Sequence, residues 1–148
     1  MPAIPPLDLR KARLSSRFGI RPDPFTGEPR MHSGIDLTVE MGTPVYATGD
    51  GKVERTYWGS GYGWTVDIDH GFGYRTRYAH LQEWLVSEGQ QIKRGEKIAL
   101  SGNTGTRTVG PHLHYEVHFK GEAKNPMKFL DITLSDIYIE FVNKINEN

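Results

Sequence analysis

Short runs of β-branched and aromatic residues, separated by glycine and proline, recur along most of the chain. In the run at 112–119, the apolar residues Leu113, Tyr115 and Val117 alternate with polar ones. A period of two is typical of a strand with one buried face. Similar runs lie at 44–47, 52–58, 64–69, 74–78 and 97–100. The pattern predicts an all-β fold, a mainly antiparallel sheet that is folded or sandwich-like and carries long groove loops.

The residues between the runs predict turns, and the end of the chain predicts a helix. Asp50-Gly51 and the Gly-Phe-Gly at 71–73 are typical of hairpin turns, because glycine readily adopts positive φ. After Ser135 as N-cap, apolar residues recur every three or four positions, at Ile137, Tyr138, Phe141, Val142 and Ile145. We therefore divide the chain into an extended N-terminal segment at 1–13, a domain at 14–130, and a short helix at 131–148 that packs on the domain.

Composition narrows the range of functions. The 148 residues suffice for one domain with a core, and 18 basic residues balance 18 acidic ones. This balance argues against nucleic acid and anionic membrane surfaces as partners, and we expect a monomer. The chain has no cysteine, which excludes disulfides and thiolate metal sites. No run approaches the ~20 apolar residues of a membrane span, and residues 1–8 lack the basic and apolar regions of a signal peptide.

Histidine and aspartate residues form two clusters suited to metal chemistry. His112 and His114 alternate on one predicted strand, so both rings project from the same face. His32 and Asp36 flank Ser33-Gly34; in a straight strand they would lie about 13 Å apart, so we expect a bend at Gly34. A transition metal here must be held by imidazole and carboxylate, and catalytic zinc usually has three protein ligands and an open position. His32, Asp36 and one histidine of the pair would complete that set.

These motifs together resemble the M23 family of zinc endopeptidases, the LytM/lysostaphin-type peptidoglycan hydrolases. The resemblance covers roughly residues 14–129 and rests on the segments at 16–19, 23–27, 32–36, 42–45, 61–63, 69–71, 78–81, 89–90, 95–96 and 110–114. It identifies 14–130 as a peptidase domain. It also implies a zinc-dependent hydrolysis of peptide cross-links in peptidoglycan.

The resemblance implies a role for each candidate residue. His32, Asp36 and His114 would bind one zinc ion per chain, while His80 and His112 would stand beside the zinc-bound water as catalytic groups. Which of the two is the base and which stabilises the oxyanion is left open by the sequence. The partners implied are stem peptides or cross-bridges of peptidoglycan, which places the activity outside the cytoplasm, in the periplasm, at the cell envelope or in the medium.

The groove around this centre can be sketched from the loops and aromatic residues. We expect its walls to be the loop at 19–31, the turn at 59–63 and the glycine-rich run at 101–105. Aromatic residues that could line it are Tyr57, Trp58, Trp64 and Tyr74. No appended wall-targeting domain is evident, so we expect cleavage of stem-peptide cross-links rather than of pentaglycine bridges.

Three further polar residues receive expectations of their own. His70 is expected to be a solvated turn residue and His118 to be peripheral to the site. Glu116 could either accept a hydrogen bond from a ligand imidazole and orient it, or form a salt bridge.

Other classes of protein fit the sequence less well. A cupin-like metal protein also uses His-x-His, but it would leave His32 and Asp36 without a role. A lipoyl or biotinyl carrier domain needs a modified lysine at a turn, and none is present in the required context. A catalytically silent M23-like module that binds cell wall or activates another hydrolase is the main alternative. Such modules typically lack several metal ligands, whereas this chain has all three candidates.

Overall fold

The structure, a computed structural model, describes residues 1–105 and 110–130. Within these ranges the chain forms two short 3₁₀ turns, Leu9–Lys11 and Pro126–Phe129, and twelve strands. The strands are β1 (Arg13–Ser16), β2 (Gly19–Pro22), β3 (Pro29–His32), β4 (Ile35–Thr38), β5 (Pro44–Tyr46), β6 (Gly51–Gly59), β7 (Gly63–Gly71), β8 (Tyr74–Trp84), β9 (Gln91–Ile92), β10 (Lys97–Ser101), β11 (His112–Phe119) and β12 (Glu122–Lys124).

The strands form one large antiparallel sheet and one small hairpin. Strand order along the main path is β1-β4-β11-β8-β7-β6-β9, with β10 pairing both β5 and β8, and β12 pairing β11. The separate two-stranded sheet is the hairpin of β2 and β3. The predicted all-β, mainly antiparallel fold is confirmed, and the six predicted strands correspond to β5, β6, β7, β8, β10 and β11. In the part of the chain that the structure describes, no helix is long and apolar enough to cross a membrane.

Some predicted connections differ from the observed ones. The Gly-Phe-Gly hairpin is confirmed, since β7 pairs with β8 across it. The hairpin at Asp50-Gly51 is wrong, because β5 pairs with β10 while β6 pairs with β7 and β9. The segment 19–31, expected as a loop, is mostly the β2–β3 hairpin. The predicted helix at 131–148 lies outside the described residues.

Strands β4 and β11 carry core residues on one face and polar residues on the other. Leu37 and Leu113 pair across the two strands and are buried in the hydrophobic core. Asp36 and His114 form the neighbouring cross-strand pair, so alternation directs them to the opposite face. The register of these two strands therefore brings both candidate clusters together.

Gly34 is required by close packing at the point where β3 ends and β4 begins. A Cβ atom at this position would lie 2.2 Å from the carbonyl oxygen of Tyr115 and 2.9 Å from Cγ of Glu116. The break between His32 and Ile35 agrees with the predicted bend. Its cause is space rather than positive φ, since Gly34 does not have a positive φ.

His70 is buried, so the expectation of a solvated turn residue is wrong. Its side chain is 8% exposed; Nδ1 lies 2.8 Å from the carbonyl oxygen of Asp50, and Nε2 lies 2.7 Å from Oγ1 of Thr76. Oγ1 of Thr76 also lies 2.9 Å from the hydroxyl of Tyr78, which contacts Thr48. His70 thus ends a chain of buried hydrogen bonds within the main sheet, and burial lowers its pKa.

Replacing His70 with alanine should lower the free energy of unfolding by about 1–3 kcal/mol near neutral pH, because Asp50 and Thr76 lose a buried partner. With its pKa lowered in the folded state, the ring contributes fully above its unfolded value of about 6.5, and this contribution is lost as the pH falls. Urea unfolding with chelator present should show the gap between wild type and variant narrowing from about pH 7.5 to about pH 5. A gap that widens with acidification would contradict this account.

Candidate metal centre and active site

Three candidate ligands meet where β3, β4 and β11 come together. Nδ1 of His114 lies 2.8 Å from Oδ1 of Asp36, and Nε2 of His32 lies 3.3 Å from Oδ2 of the same carboxylate. One ligand atom from each of the three residues falls within 4.8 Å of the others. Two imidazoles and one carboxylate form a donor set that suits zinc, and three protein ligands leave a position open. His32, Asp36 and His114 can therefore hold a metal ion.

The orientation of His32 is fixed by the backbone. Its Nδ1 lies 2.8 Å from the carbonyl oxygen of Arg17 and donates a hydrogen bond to it. Nε2 then points toward Asp36, and in its unprotonated form it would offer a lone pair to a metal ion. Such an outer hydrogen bond sets both the tautomer and the direction of a ligand imidazole.

The charges of the cluster are strongly coupled. Burial alone would raise the pKa of Asp36, but the hydrogen bonds with His114 and His32 outweigh it and hold the pKa well below its usual range. Burial alone would lower the pKa of His114, but the hydrogen bonds with Asp36 and Glu116 raise it to about 9. The metal-free cluster therefore keeps a proton on His114, and binding of a cation would release it.

His80 and His112 form a second imidazole pair next to the cluster. Their ring centroids are 4.5 Å apart, and the centroid of His80 is 6.0 Å from that of His114. Nδ1 of His80 lies 2.7 Å from the carbonyl oxygen of Thr104, and Nδ1 of His112 lies 2.7 Å from that of Gly110. Both rings thus donate through Nδ1, which leaves Nε2 of each for chemistry. Burial lowers the pKa of His80 to about 4, so this ring is neutral at pH 7.

An irregular backbone directs His80 toward the site. Its φ is 59°, a left-handed conformation that is uncommon for a residue with a side chain and is frequent at functional sites. The register between β7 and β8 shifts here, from Val66 opposite Tyr78 to Trp64 opposite Leu81, which marks a bulge. The bulge interrupts the simple alternation of β8 and re-aims the imidazole.

The glycine-rich run at 101–105, which we expect to be a groove wall, contacts His80 from behind. Besides the carbonyl contact with His80, the Thr104 hydroxyl donates to the carbonyl of Leu81 at 2.6 Å. A Cβ atom at Gly63 would lie 2.3 Å from Oγ1 of Thr104, and one at Gly105 would lie 2.5 Å from the nitrogen of Gly63. Two glycines therefore allow the segments to approach closely enough to hold the imidazole.

Glu116 is completely buried beneath the candidate metal site. Its Oε2 lies 2.7 Å from Nε2 of His114 and accepts a hydrogen bond from the Tyr62 hydroxyl at 2.8 Å. Its Oε1 lies 2.7 Å from Nε2 of His118 and 3.5 Å from Nη1 of Arg77. Both interpretations from the sequence are therefore correct, since Glu116 contacts a candidate ligand and also forms an ion pair. His118 reaches the centre through this carboxylate.

Around the two imidazole clusters lies a cavity of about 330 Å³. Its walls include residues of the β2–β3 hairpin and the turn at 60–62, as expected for the segments 19–31 and 59–63. The aromatic residues expected in the groove do not line this cavity. Trp64 packs edge-on against Trp58 and Trp84, and Tyr74 packs against Phe119. Tyr62 supplies the aromatic wall near the metal site.

The sequence interpretation missed Arg21 and Thr104. Arg21 lines the cavity with its Nη2 3.9 Å from Oδ2 of Asp36, but it belongs to a segment without a metal or catalytic motif. Thr104 acts on His80 through its backbone carbonyl, which any residue type carries. Both positions lie in segments expected as groove walls, but no sequence pattern singles out either residue within them.

Comparisons with known proteins agree with this geometry. Residues 30–126 match Peptidase family M23. An uncharacterized metalloprotease of Haemophilus influenzae is 52% identical over 120 residues, which is 80% of this chain and 25% of that protein. Peptidoglycan DD-endopeptidase ShyA of Vibrio cholerae is 48% identical over 119 residues, 80% of this chain and 27% of its own. The chain thus spans about a quarter of the length of these curated relatives.

Solved structures show the same fold. A zinc-containing peptidase from Vibrio cholerae superimposes with a TM-score of 0.74 at 42% identity, over 83% of this chain and 38% of the other. The catalytic domain of lysostaphin from Staphylococcus simulans has a TM-score of 0.74 at 31% identity, over 82% and 93%. From the extent of the sequence match and the shared fold, we conclude that this chain belongs to the M23 family of peptidases.

Proposed function

We propose that the protein is a zinc-dependent endopeptidase that hydrolyses peptide cross-links of bacterial peptidoglycan outside the cytoplasm. The observation that carries the proposal is the meeting of His32, Asp36 and His114 beside a second pair of imidazoles in an open cavity. Three metal ligands alone would also suit a structural or storage site. The adjoining pair of histidines with free Nε2 atoms supports hydrolysis instead.

We assign one zinc ion to His32, Asp36 and His114, with the carboxylate lying between the two imidazoles. Bound zinc lowers the pKa of a coordinated water toward neutrality and polarises the carbonyl of the peptide to be cut. Glu116 accepts from the outer nitrogen of His114 and keeps the inner nitrogen directed at Asp36.

We assign the general base to His80 and the oxyanion donor to His112. Burial keeps His80 neutral, and its Nδ1–H donates a hydrogen bond to the carbonyl oxygen of Thr104. Nε2 therefore offers a lone pair to the attacking water. The proton taken up there is later available to the leaving amine. Nε2 of His112 lies 3.7 Å from Oδ1 of Asp36, at the edge of the cluster. When the ring carries a proton on both nitrogens, its Nε2–H would stabilise negative charge on the former carbonyl oxygen.

The substrate class follows from the family and from the open cavity. Residues of the β2–β3 hairpin and of the turn at 60–62 line the cavity beside the candidate ligands, where a flexible peptide would bind. We favour stem-peptide D,D cross-links over pentaglycine bridges, in accord with the names of several relatives.

Incubation with defined muropeptides tests this proposal. The purified protein should split D,D-linked dimers into monomers and leave pentaglycine intact, and a chelator should abolish cleavage because the attacking water would no longer be activated. Mass spectrometry of the products identifies the bond that is cut. Cleavage of pentaglycine with intact dimers would reverse the choice of substrate. A zinc-loaded protein that cuts neither would favour the silent cell-wall-binding module.

Substitutions should separate metal binding from catalysis. Asp36→Ala and His114→Ala should lose most of the zinc together with the activity. His80→Ala should retain about one equivalent of zinc while its activity falls by roughly 10² or more, because a positioned base is lost. Metal analysis and dimer cleavage on the same preparations provide the readout. A zinc-depleted His80→Ala, or a zinc-replete His114→Ala, would mean that ligand and catalyst have been exchanged.

Substitution of Glu116 by glutamine should weaken zinc binding by roughly 10–100-fold, because the outer hydrogen bond to His114 loses its charge. Competition with a chromophoric chelator measures the dissociation constant. His118→Asn is the matched control, since His118 contacts the other oxygen of the same carboxylate and should change zinc affinity far less. Equal zinc affinity in Glu116→Gln and wild type would remove Glu116 from the metal site.

A further inference from the structure

A guanidinium group lies beside the candidate zinc ligands without being fully paired. Arg21 projects from β2 into the cavity, and its Nη2 lies 3.9 Å from Oδ2 of Asp36. This separation is too long for a hydrogen bond. Nη1 donates to the carbonyl of Pro22 at 3.3 Å, and the buried Nε has no hydrogen-bond partner among the described residues. Arg21 therefore retains donor capacity next to the reacting centre.

The neighbouring cation of the same hairpin is placed differently. Arg30 lies directly opposite Arg21 in the β2–β3 register and also borders the cavity. Its Nη1 contacts Oδ2 of Asp23 at 3.2 Å, and its side chain is 60% exposed. Asp23 is buried, and its Oδ1 accepts hydrogen bonds from the backbone N–H groups of Phe25 and Thr26. Arg30 thus forms an ion pair within the hairpin, whereas Arg21 lies beside the candidate metal ligand Asp36.

Nη2 makes no hydrogen bond with the described residues and, unlike Nε, is not buried, so it can donate to a ligand in the cavity. The fork of a guanidinium matches a carboxylate, with two parallel hydrogen bonds and opposite charge. Asp36 does not fill this role, given its distance and its contacts with His32 and His114. Arg21 lies beside Asp36, a candidate metal ligand. An anion bound by Arg21 would therefore lie close to the metal ion and to the peptide bond being cut.

We propose that Arg21 binds a free α-carboxylate on the amine side of the scissile peptide bond, and so selects substrates that carry one there. This inference rests on the proposed peptidase function. In a D,D cross-link the residue that supplies the amine has its own α-carboxylate, two bonds from the scissile nitrogen. A terminal D-alanine presents the same group. An internal glycine of a pentaglycine bridge has an amide in its place and offers no anion to Arg21.

The test pairs charge-removing variants with charge-removed substrates. One substrate is a D,D-linked dimer with the free carboxylate, and the other is the same dimer with that carboxylate amidated. Wild type should cleave the free form with the higher kcat/KM. Arg21→Gln should lose roughly 10–100-fold on the free form and little on the amidated form, the scale expected for a hydrogen bond to a charged group. Arg21→Lys should restore part of the loss.

Arg30→Gln is the matched control, because it removes a positive charge from the paired position of the same hairpin. It should preserve the ratio of kcat/KM between the two substrates, and all variants should bind zinc to the wild-type level. Equal loss on both substrates in Arg21→Gln would overturn the proposal. A pentapeptide ending in D-alanine distinguishes the carboxylate of the cross-link from that of a terminal D-alanine. If Arg21→Gln lowers kcat/KM for the dimer alone, Arg21 binds the cross-link carboxylate. If it lowers kcat/KM for both substrates, Arg21 binds either carboxylate.

Binding without turnover gives a second readout. In zinc-loaded His80→Ala, calorimetry should show tighter binding of the free dimer than of the amidated dimer, and adding Arg21→Gln should remove the difference. An unchanged difference would overturn the proposal. A wild type that cleaves no dimer would contradict the peptidase function instead, and the calorimetric comparison would still decide the role of Arg21.

Discussion

The pairing of β4 with β11 is the constraint on which the site depends. It places Asp36 opposite His114, and a slip by one residue would turn the polar face of either strand into the core. The same pairing requires the backbone of Gly34 to lie against the carbonyl of Tyr115, a contact that any side chain would prevent. Burial of the paired Leu37 and Leu113 in the core stabilises this register of β4 and β11. The packing of apolar residues thereby determines the spacing of the polar ones.

Below the candidate metal site, buried charges are arranged in an alternating order. In the metal-free cluster the protonated His114 contacts Glu116, which lies near Arg77, and Arg77 donates two hydrogen bonds to the fully buried Asp67 at 2.9 and 3.1 Å. Burial disfavours each charge alone, but each has an opposite neighbour. Tyr62 completes the set by donating to Glu116, and burial together with this carboxylate raises the pKa of its hydroxyl to about 12. A ligand held by such a network has little freedom to change its orientation.

Periodicity predicted those parts of the fold that alternate between core and solvent. Six strands of the main sheet and the shared face of His114 and Glu116 were predicted from the sequence, whereas β1, β4, β9 and β12 were not. The β2–β3 hairpin contributes no fully buried residue, and its apolar Ile20 is 73% exposed, so an alternation of core and polar residues does not mark it. The direction of His80 depends on a bulge and a positive φ, and the burial of His70 depends on partners distant in sequence. Such features arise from tertiary packing, which a local pattern does not encode.

Among the described strands, β2 and β3 pair only with each other, and the two ends of this hairpin make different contacts. At its base, Gly19 lies opposite His32, which is committed to the cluster. At its tip, residues 23–28 form a turn held together by Asp23 and its own neighbours. Changes in length or composition at the tip therefore leave the ladder of the main sheet untouched. The tip of the hairpin can therefore vary in sequence while the geometry of the candidate metal centre stays the same.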